Sequence, residues 1–242
     1  MNRRVVPFLG LVLALSAPVH AQVSHGQERP AVVKDWMQRL HTADGELRLA
    51  HWAEGKRISD SVLSEMREYI ESGSASGPLL STALLFKSIG EAGSGYYETA
   101  AWDFGAAQAL NMDLVDVDLA AYGEPGHFLD THRYQRSPTP GPIQLPAQKA
   151  SDPGITPPTK LGGERLSYPY AQKAACNQAL VLIQVVIDKA GRPTVPYLLK
   201  PTEPVLGLAA IQSLVTWRFA PATLDGQPIP VTWVLLVTFQ CA

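Results

Sequence analysis

The chain has 242 residues, of which 46% are hydrophobic, and a formal net charge of −2. This length allows one or two domains of about 100–200 residues each. The absence of a basic surplus argues against nucleic acid as the partner, and no run of Lys or Arg predicts binding to anionic lipid.

The N-terminus has the form of a secretory signal peptide. Arg3 and Arg4 form a positive region, residues 5–18 are apolar, and Ala21 ends a small-x-small cleavage site. Residues 1–21 are therefore predicted to be removed after export. The alternative is an uncleaved anchor in the inner membrane, although a spanning helix needs roughly 20 apolar residues and this stretch is shorter.

The apolar pattern from residue 22 to residue 133 predicts a helical domain. An apolar stripe with helical spacing opens it, formed by Val33, Trp36, Met37 and Leu40. Ser59 or Asp60 is expected to cap a later helix. Two further helices are predicted over residues 79–89, ended by Gly90, and over the Ala-rich residues 97–110.

Residues 86–111 are weakly similar to a tetratricopeptide unit. Ile89-Gly90 stands where such a unit has Leu-Gly, and Ala100, Phe104 and Ala107 match its second helix. The sequence shows no clean second copy at a period of about 34 residues. An array of helical hairpins and a plain helical bundle are both left as alternatives.

Residues 134–164 are predicted to form a linker, and its proline-rich part spans residues 136–160. Its seven prolines are Pro138, Pro140, Pro142, Pro146, Pro153, Pro157 and Pro158. Proline fixes φ and favours an extended polyproline helix. We expect a semi-rigid spacer of roughly 25 residues, with a reach on the order of 80 Å.

Residues 165–242 are predicted to fold as a β-β-α-β domain, which makes the whole chain α+β. The elements are a strand over 180–187, a turn at 188–191, a strand over 194–200, a helix from Pro204, a turn at Asp225-Gly226 and a strand over 231–240. Pro196 places the second strand at a sheet edge. Leu208, Ile211, Leu214 and Val215 are expected to form the apolar helix face, and Trp217 and Phe219 to complete the core.

A right-handed crossover returns the third strand parallel to the second. With the third strand beyond the first, the predicted three-stranded sheet is antiparallel or mixed and has the order 2-1-3. The third strand is then antiparallel to the first, so Cys176, before the first strand, lies near Cys241, after the third. In an oxidising compartment this predicts a disulfide. The alternative is two unrelated buried thiols.

The C-terminal third resembles the TonB C-terminal family. The matching residues are Tyr168-Pro169, a strand ending in Val186-Ile187-Asp188 with Gly191-Arg192, the run from Trp217-Arg218-Phe219 through Asp225-Gly226 to Val231, and Val237-Thr238-Phe239. Ala179 stands where the family usually has Gly, and the cysteine pair is not a general family feature. The resemblance implies a periplasmic, TonB-like module that binds proteins, with neither catalytic residues nor a cofactor.

The resemblance also implies the mode of binding, which is capture of an extended segment, the TonB box of an outer-membrane receptor, by strand addition at an open sheet edge. The third strand offers this edge. The predicted partner-binding residues are Val231, Thr232, Val234, Leu236, Thr238 and Gln240. The alternative is an edge covered by the linker of the same chain or by a dimer mate.

Three functional hypotheses follow. The first is a periplasmic adaptor, and the second is a membrane-anchored energy transducer for TonB-dependent transport. The third is a ligand-binding or enzymatic helical domain that the C-terminal module localises. Catalytic motifs such as Gly-x-Ser-x-Gly and His-Glu-x-x-His are absent from the sequence. The spacing of Glu124, His127, Asp130 and His132 matches no metal-binding motif.

Overall fold

The computed structural model describes residues 30–70, 77–134, 147–164, 166, 179–199 and 204–239. The chain divides into two compact units, Met1–Arg133 and Tyr134–Ala242. The described part of the first unit is helical, and the second contains the strands and one helix. This arrangement confirms the predicted α+β class.

The helical unit is built around one central helix. Its α-helices are α1 (Pro30–Arg48), α2 (Trp52–Ile70), α3 (Gly77–Gly93), α4 (Tyr97–Leu110) and α5 (Gly123–Asp130), and short 3-10 turns span Met112–Asp116 and Ala120–Tyr122. Helix α3 contacts each of the other four α-helices. It is buried on nearly all sides, as expected for a helix that is apolar all round.

Two helix boundaries differ from the prediction. Helix α2 runs without interruption through Ser59 and Asp60, so neither residue is a cap. Ser59 instead donates its hydroxyl to the Gly55 carbonyl at 2.9 Å. Helix α3 continues past Gly90, because this glycine marks a helix crossing rather than an end. A Cβ there would lie 2.7 Å from Lys56 Cβ.

The second unit contains a four-stranded sheet. The described strands are β1 (Gln148–Lys149), β2 (Ile155–Thr156), β3 (Thr159–Gly162), β4 (Ala179–Ile187), β5 (Pro193–Leu198), β6 (Arg218–Ala220), β7 (Ala222–Leu224), β8 (Gln227–Ile229) and β9 (Val231–Phe239). The main sheet has the order β1-β9-β4-β5. Its three long strands confirm the predicted order 2-1-3. Strand β4 is antiparallel to both neighbours, and its pairing with β9 is uninterrupted.

Helix α6 (Pro204–Leu214) packs against β4 and β5 and shares their core. The buried sheet residues include Val181, Ile183, Val185, Leu235, Val237 and Phe239, and the buried helix residues include Leu208, Ile211 and Leu214. Trp217 and Phe219 are buried as predicted. Val215 is 51% exposed, contrary to the prediction, because it follows the last helical residue and helical spacing no longer positions it.

The second half of the predicted linker pairs with the strands of the C-terminal unit. We call residues 147–164 the strap. Strand β1 pairs with β9 in parallel, β2 pairs with β7 antiparallel, and β3 pairs with β6 antiparallel. The residues of these three strands are almost all exposed, so backbone pairing rather than apolar burial holds them.

Some predicted features lie outside the described residues. These are the signal peptide at residues 1–21, the two cysteines Cys176 and Cys241, and Gln240. Within the described ranges, no helix is long and apolar enough to cross a membrane.

Candidate functional site

The two edges of the main sheet differ in what they offer to another chain. At the β5 edge, Pro196 has no N–H, and its carbonyl accepts a hydrogen bond from the Tyr134 hydroxyl. Val195 has a φ of 51°, which also breaks the regular strand conformation there. This edge is therefore poorly suited to strand addition.

Strand β9 forms the opposite edge along most of its length. One side pairs with β4 from Val231 to Phe239. On the other side, β1 pairs with Val231 and Thr232. Among the described residues, no strand pairs with this side between Trp233 and Phe239. Six consecutive residues of β9, from Trp233 to Thr238, thus have no strand on one side within the described part of the chain.

The backbone groups on the free side can be assigned because backbone direction alternates from one residue of a strand to the next. In an antiparallel pair, the residues of a strand alternate between those that bond to the neighbour and those whose N–H and C=O point away. The Thr232 carbonyl accepts from the Ala150 N–H at 3.0 Å, so it points away from β4. The alternation then directs the N–H and C=O of Val234, Leu236 and Thr238 to the free side.

Three apolar side chains lie exposed on the outer face of the same sheet. Val234 is 50% exposed, Leu236 is 57% exposed, and Leu180 on β4 is 60% exposed. The two β9 side chains stand on the face opposite Leu235 and Val237, which are buried in the core. A strand added to β9 would place alternate side chains beside Val234 and Leu236.

The predicted partner-binding residues fall into three groups. Val234, Leu236 and Thr238 lie on the free part of β9, whereas Val231 and Thr232 already pair with β1. Gln240 is outside the described residues. Sequence reasoning missed Leu180, although the 2-1-3 order places it beside Thr238. The binding role of all these residues stays a prediction.

The family motifs form the core of this unit. A Cβ on Gly191 would lie 1.8 Å from the Phe219 carbonyl oxygen, and the Phe219 N–H donates to the Gly191 carbonyl at 2.9 Å. Only glycine fits such a close approach with a φ of 75°. The turn after β4 therefore docks on the segment that contains Trp217 and Phe219.

Comparison with known proteins agrees with this arrangement. Residues 164–241 match the family model described as Gram-negative bacterial TonB protein C-terminal. This segment is a TonB C-terminal domain. The family is transport-associated and non-enzymatic, and its members are periplasmic or membrane-anchored and interact with proteins such as receptors. Neither the comparison with curated proteins nor that with solved structures gave a match.

The tetratricopeptide-like similarity of residues 86–111 is not borne out. The structure gives a physical reason, because α1 and α3 begin at Pro30 and Gly77. This spacing is much longer than the period of about 34 residues that the repeat requires.

The helical unit carries a buried group of charges. Lys87 Nζ lies 2.6 Å from Asp103 Oδ2, 3.6 Å from Glu91 Oε1 and 3.9 Å from Asp60 Oδ1. The Glu91 side chain is 4% exposed, and that of Asp103 is 11% exposed. Three helices, α2, α3 and α4, thus bring one lysine and three carboxyl groups together.

The burial and mutual proximity of these groups shift the pKa values of Glu91 and Lys87. Burial, followed by the nearby Asp103 carboxylate, raises the pKa of Glu91 to about 7. Burial alone would lower the pKa of Lys87, but the surrounding carboxylates, Asp103 first, raise it overall. Sequence reasoning missed this cluster because it joins residues of three different helices and matches no motif.

The helical unit also has a surface cavity of about 490 Å³. Its lining residues are Arg48, Ala50, Trp52, Ala92, Gly93, Tyr97, Ala120, Ala121, Tyr122, Gly123, Glu124 and Pro125. Arg48 is already paired with Asp44 at 2.8 Å, and its guanidinium lies 5.1 Å from the Tyr122 ring centroid. The lining contains no nucleophile with an adjacent base, so it supports ligand binding better than acid–base chemistry.

The predicted absence of a metal site concerned Glu124, His127, Asp130 and His132. In the described ranges, no group of three or more His, Cys, Asp or Glu side chains could hold a metal ion. His132 Nδ1 instead contacts the Thr131 hydroxyl at 3.0 Å.

Proposed function

We propose that this protein is a periplasmic TonB-type adaptor without catalytic activity, which binds other proteins by strand addition to β9. The observation that carries the proposal is the free side of β9 from Trp233 to Thr238, among the described residues, in a TonB C-terminal domain. Strand addition uses backbone hydrogen bonds for affinity and alternate side chains for specificity. The TonB box of an outer-membrane receptor is the proposed ligand.

The exposed side chains indicate the composition of a suitable ligand. Val234 and Leu236 have half or more of their surface in water, and an added strand would cover part of it. A ligand with apolar residues at alternate positions would remove the most apolar surface from water. We therefore propose an extended segment with β-branched or aliphatic residues at every second position.

Amide shifts of the isotope-labelled full chain test this proposal. Addition of a synthetic TonB-box peptide with blocked ends should shift the amides of Val234, Leu236 and Thr238 most, because their N–H groups face the free side. A peptide of the same length with proline substituted at every second position is the matched control and should cause no shift. The proposed site is wrong if no β9 amide responds to millimolar TonB-box peptide.

The location of the protein is part of the same proposal. Cleavage after Ala21 would release a periplasmic protein, whereas a retained segment would make it an anchored energy transducer. Mass analysis of the protein purified from cells should show an N-terminus at Gln22. An intact Met1 in the membrane fraction would favour the transducer.

A second candidate function is ligand binding by the helical unit. It is favoured by the cavity, whose 490 Å³ falls within the range of about 300–1,000 Å³ typical of ligand sites. Trp52, Tyr97 and Tyr122 give it an aromatic lining suited to a planar or apolar small molecule. A thermal-shift screen of small molecules tests this candidate, and Trp52→Ala should abolish any stabilisation that results from binding at this cavity.

A further inference from the structure

The strap places its first residues on the same side of β9 that the proposed partner would use. Gln148 lies beside Val231, and Lys149 lies beside Thr232, in parallel register. An inference about this contact rests on the proposed function. It concerns how access to that edge is controlled.

The contact uses the backbone of Thr232 directly. The Ala150 N–H donates to the Thr232 carbonyl at 3.0 Å, and the Thr232 hydroxyl donates to the Ala147 carbonyl at 3.3 Å. By the same alternation, the Thr232 carbonyl belongs to the same row of groups as Val234 and Leu236. The strap therefore occupies the first position of the row that an added strand would need.

A short turn fixes this end of the strap. The Lys149 N–H donates to Asp152 Oδ2 at 2.9 Å, and the Asp152 N–H donates back to the Lys149 carbonyl at 2.9 Å. These bonds link residues three apart and do not involve β9. They shape the tip of the strap, residues 147–150, without adding contacts to the sheet.

The other end of the strap is held much more firmly. Strand β3 pairs with β6, and Trp217 Nε1 donates to the Glu164 carbonyl at 3.3 Å. Lys160 Nζ lies 3.0 Å from the Trp217 ring centroid. A Cβ on Gly163 would lie 2.4 Å from Trp217 Cδ1, so the strap backbone lies directly against this side chain.

The tip has much less to hold it. Gln148 and Lys149 are both exposed, and Ala150 is the buried residue there, at 2% exposure. Segments with few buried contacts open at a lower free energy than the rest of a domain. The tip can therefore leave β9 while the other end of the strap, residues 159–164, stays in place. We call this end the base.

We propose that the tip of the strap, residues 147–150, is an autoinhibitory strand that a partner must displace from Thr232 in order to pair along the whole β9 edge. The base keeps the displaced tip close to the edge, so the tip returns when the partner leaves. Weak or short ligands then bind too weakly to displace the tip from Thr232.

A pair of substitutions at one position tests the proposal in the full chain. Ala150→Pro deletes the N–H that bonds to Thr232, whereas Ala150→Gly keeps this N–H and removes only the buried methyl group. When a site is open only part of the time, its apparent dissociation constant equals the intrinsic constant divided by the open fraction. We expect Ala150→Pro to lower the dissociation constant of a blocked TonB-box peptide about five- to tenfold relative to Ala150→Gly.

A covalent lock gives the opposite perturbation and does not depend on how Ala150→Pro folds. Lys149→Cys with Thr232→Cys joins two residues that are register partners, and oxidation should hold the tip closed. Peptide binding by the oxidised variant should be at least tenfold weaker than binding by the same variant in reductant, and the unsubstituted chain measured with and without reductant controls for any effect of reductant on Cys176 and Cys241. Equal binding by the locked and reduced forms would overturn autoinhibition and leave strand addition intact. Absence of binding in every form would overturn the proposed function itself.

Discussion

The helical unit and the C-terminal unit differ in whether their key polar groups are buried or exposed. The helical unit buries them, since Glu91 and Asp103 are nearly inaccessible beside Lys87. The C-terminal unit has an apolar core and directs the free backbone groups of β9 outward. The first arrangement makes stability depend on protonation, and the second makes the surface available for pairing.

This difference predicts that perturbations should act on one unit and spare the other. Removing a crosslink should weaken only the C-terminal unit, and a change of pH should act mainly on the helical unit. A substitution at the edge should affect binding without much effect on the stability of either unit. Hydrogen exchange followed by mass spectrometry assigns each effect to a unit, because every peptide belongs to one of them.

The largest effect is expected from the proposed disulfide between Cys176 and Cys241. Closure of so long a loop contributes about 4 kcal/mol to the free energy of unfolding. The register of β4 and β9 supports the proposal, because Ala179 and Phe239 are paired at the adjoining strand ends. Replacing both cysteines with serine should destabilise the C-terminal unit by about that amount and leave exchange in the helical unit unchanged.

Peptide mapping without reductant is the direct check of this pairing. Periplasmic protein should give one linked peptide that contains both cysteines. Two separate peptides, each with a free thiol, would contradict the bridge.

The second effect concerns pH and the helical unit. Because the folded pKa of Glu91 is raised to about 7, the folded unit holds a proton that the unfolded chain releases near 4.5. The resulting stability is complete below pH 4.5 and is lost as the pH rises through 7. Glu91→Gln should therefore stabilise the unit at pH 8 by on the order of 2 kcal/mol and flatten its stability profile.

Chemical unfolding at pH 5 and pH 8 measures this change, with Glu124→Gln as the control. Glu124 is an exposed side chain of the same unit outside the charge cluster, so its replacement controls for the loss of one carboxyl group. A Glu91→Gln profile parallel to that of the unsubstituted chain would show that Glu91 does not cause the pH dependence.

The parts of the fold that were predicted from the sequence rest on local patterns. The Ala-rich stretch gave α4 with its observed ends, and the alternation from Val231 to Phe239 gave β9 and its buried face. Pro196 marked an edge strand because it lacks an N–H. Asp225 and Gly226 adopt the positive φ values that their turn requires.

The parts that were missed depend on contacts between distant residues. In the sequence Gly90 suggests a helix end. In the structure glycine is required there because Lys56 of α2 lies too close to leave room for a Cβ atom. The strap has no apolar periodicity, and its strands exist because β6, β7 and β9 offer backbone partners. The strand order indicated that β9 lies at an edge of the predicted sheet. The pairing of Lys149 with Thr232 at that edge could not be derived from the spacing of residues.

The smallest effect is expected at Leu236, and it tests whether the backbone or the side chain of β9 does the binding. Leu236→Pro deletes an N–H that points to the free side, so pairing with β4 is kept and the domain should fold. The same change should weaken TonB-box peptide binding at least tenfold, or about 1.4 kcal/mol. Leu236→Ala keeps the N–H and should stay within about threefold of the unsubstituted chain, since the side chain is 57% exposed. Calorimetry gives both affinities, and circular dichroism checks that each variant is folded. Equal losses in the two folded variants would mean that the partner reads the apolar face of the sheet rather than its edge, and the contrast between the two units would then be one of exposed apolar surface against buried charge.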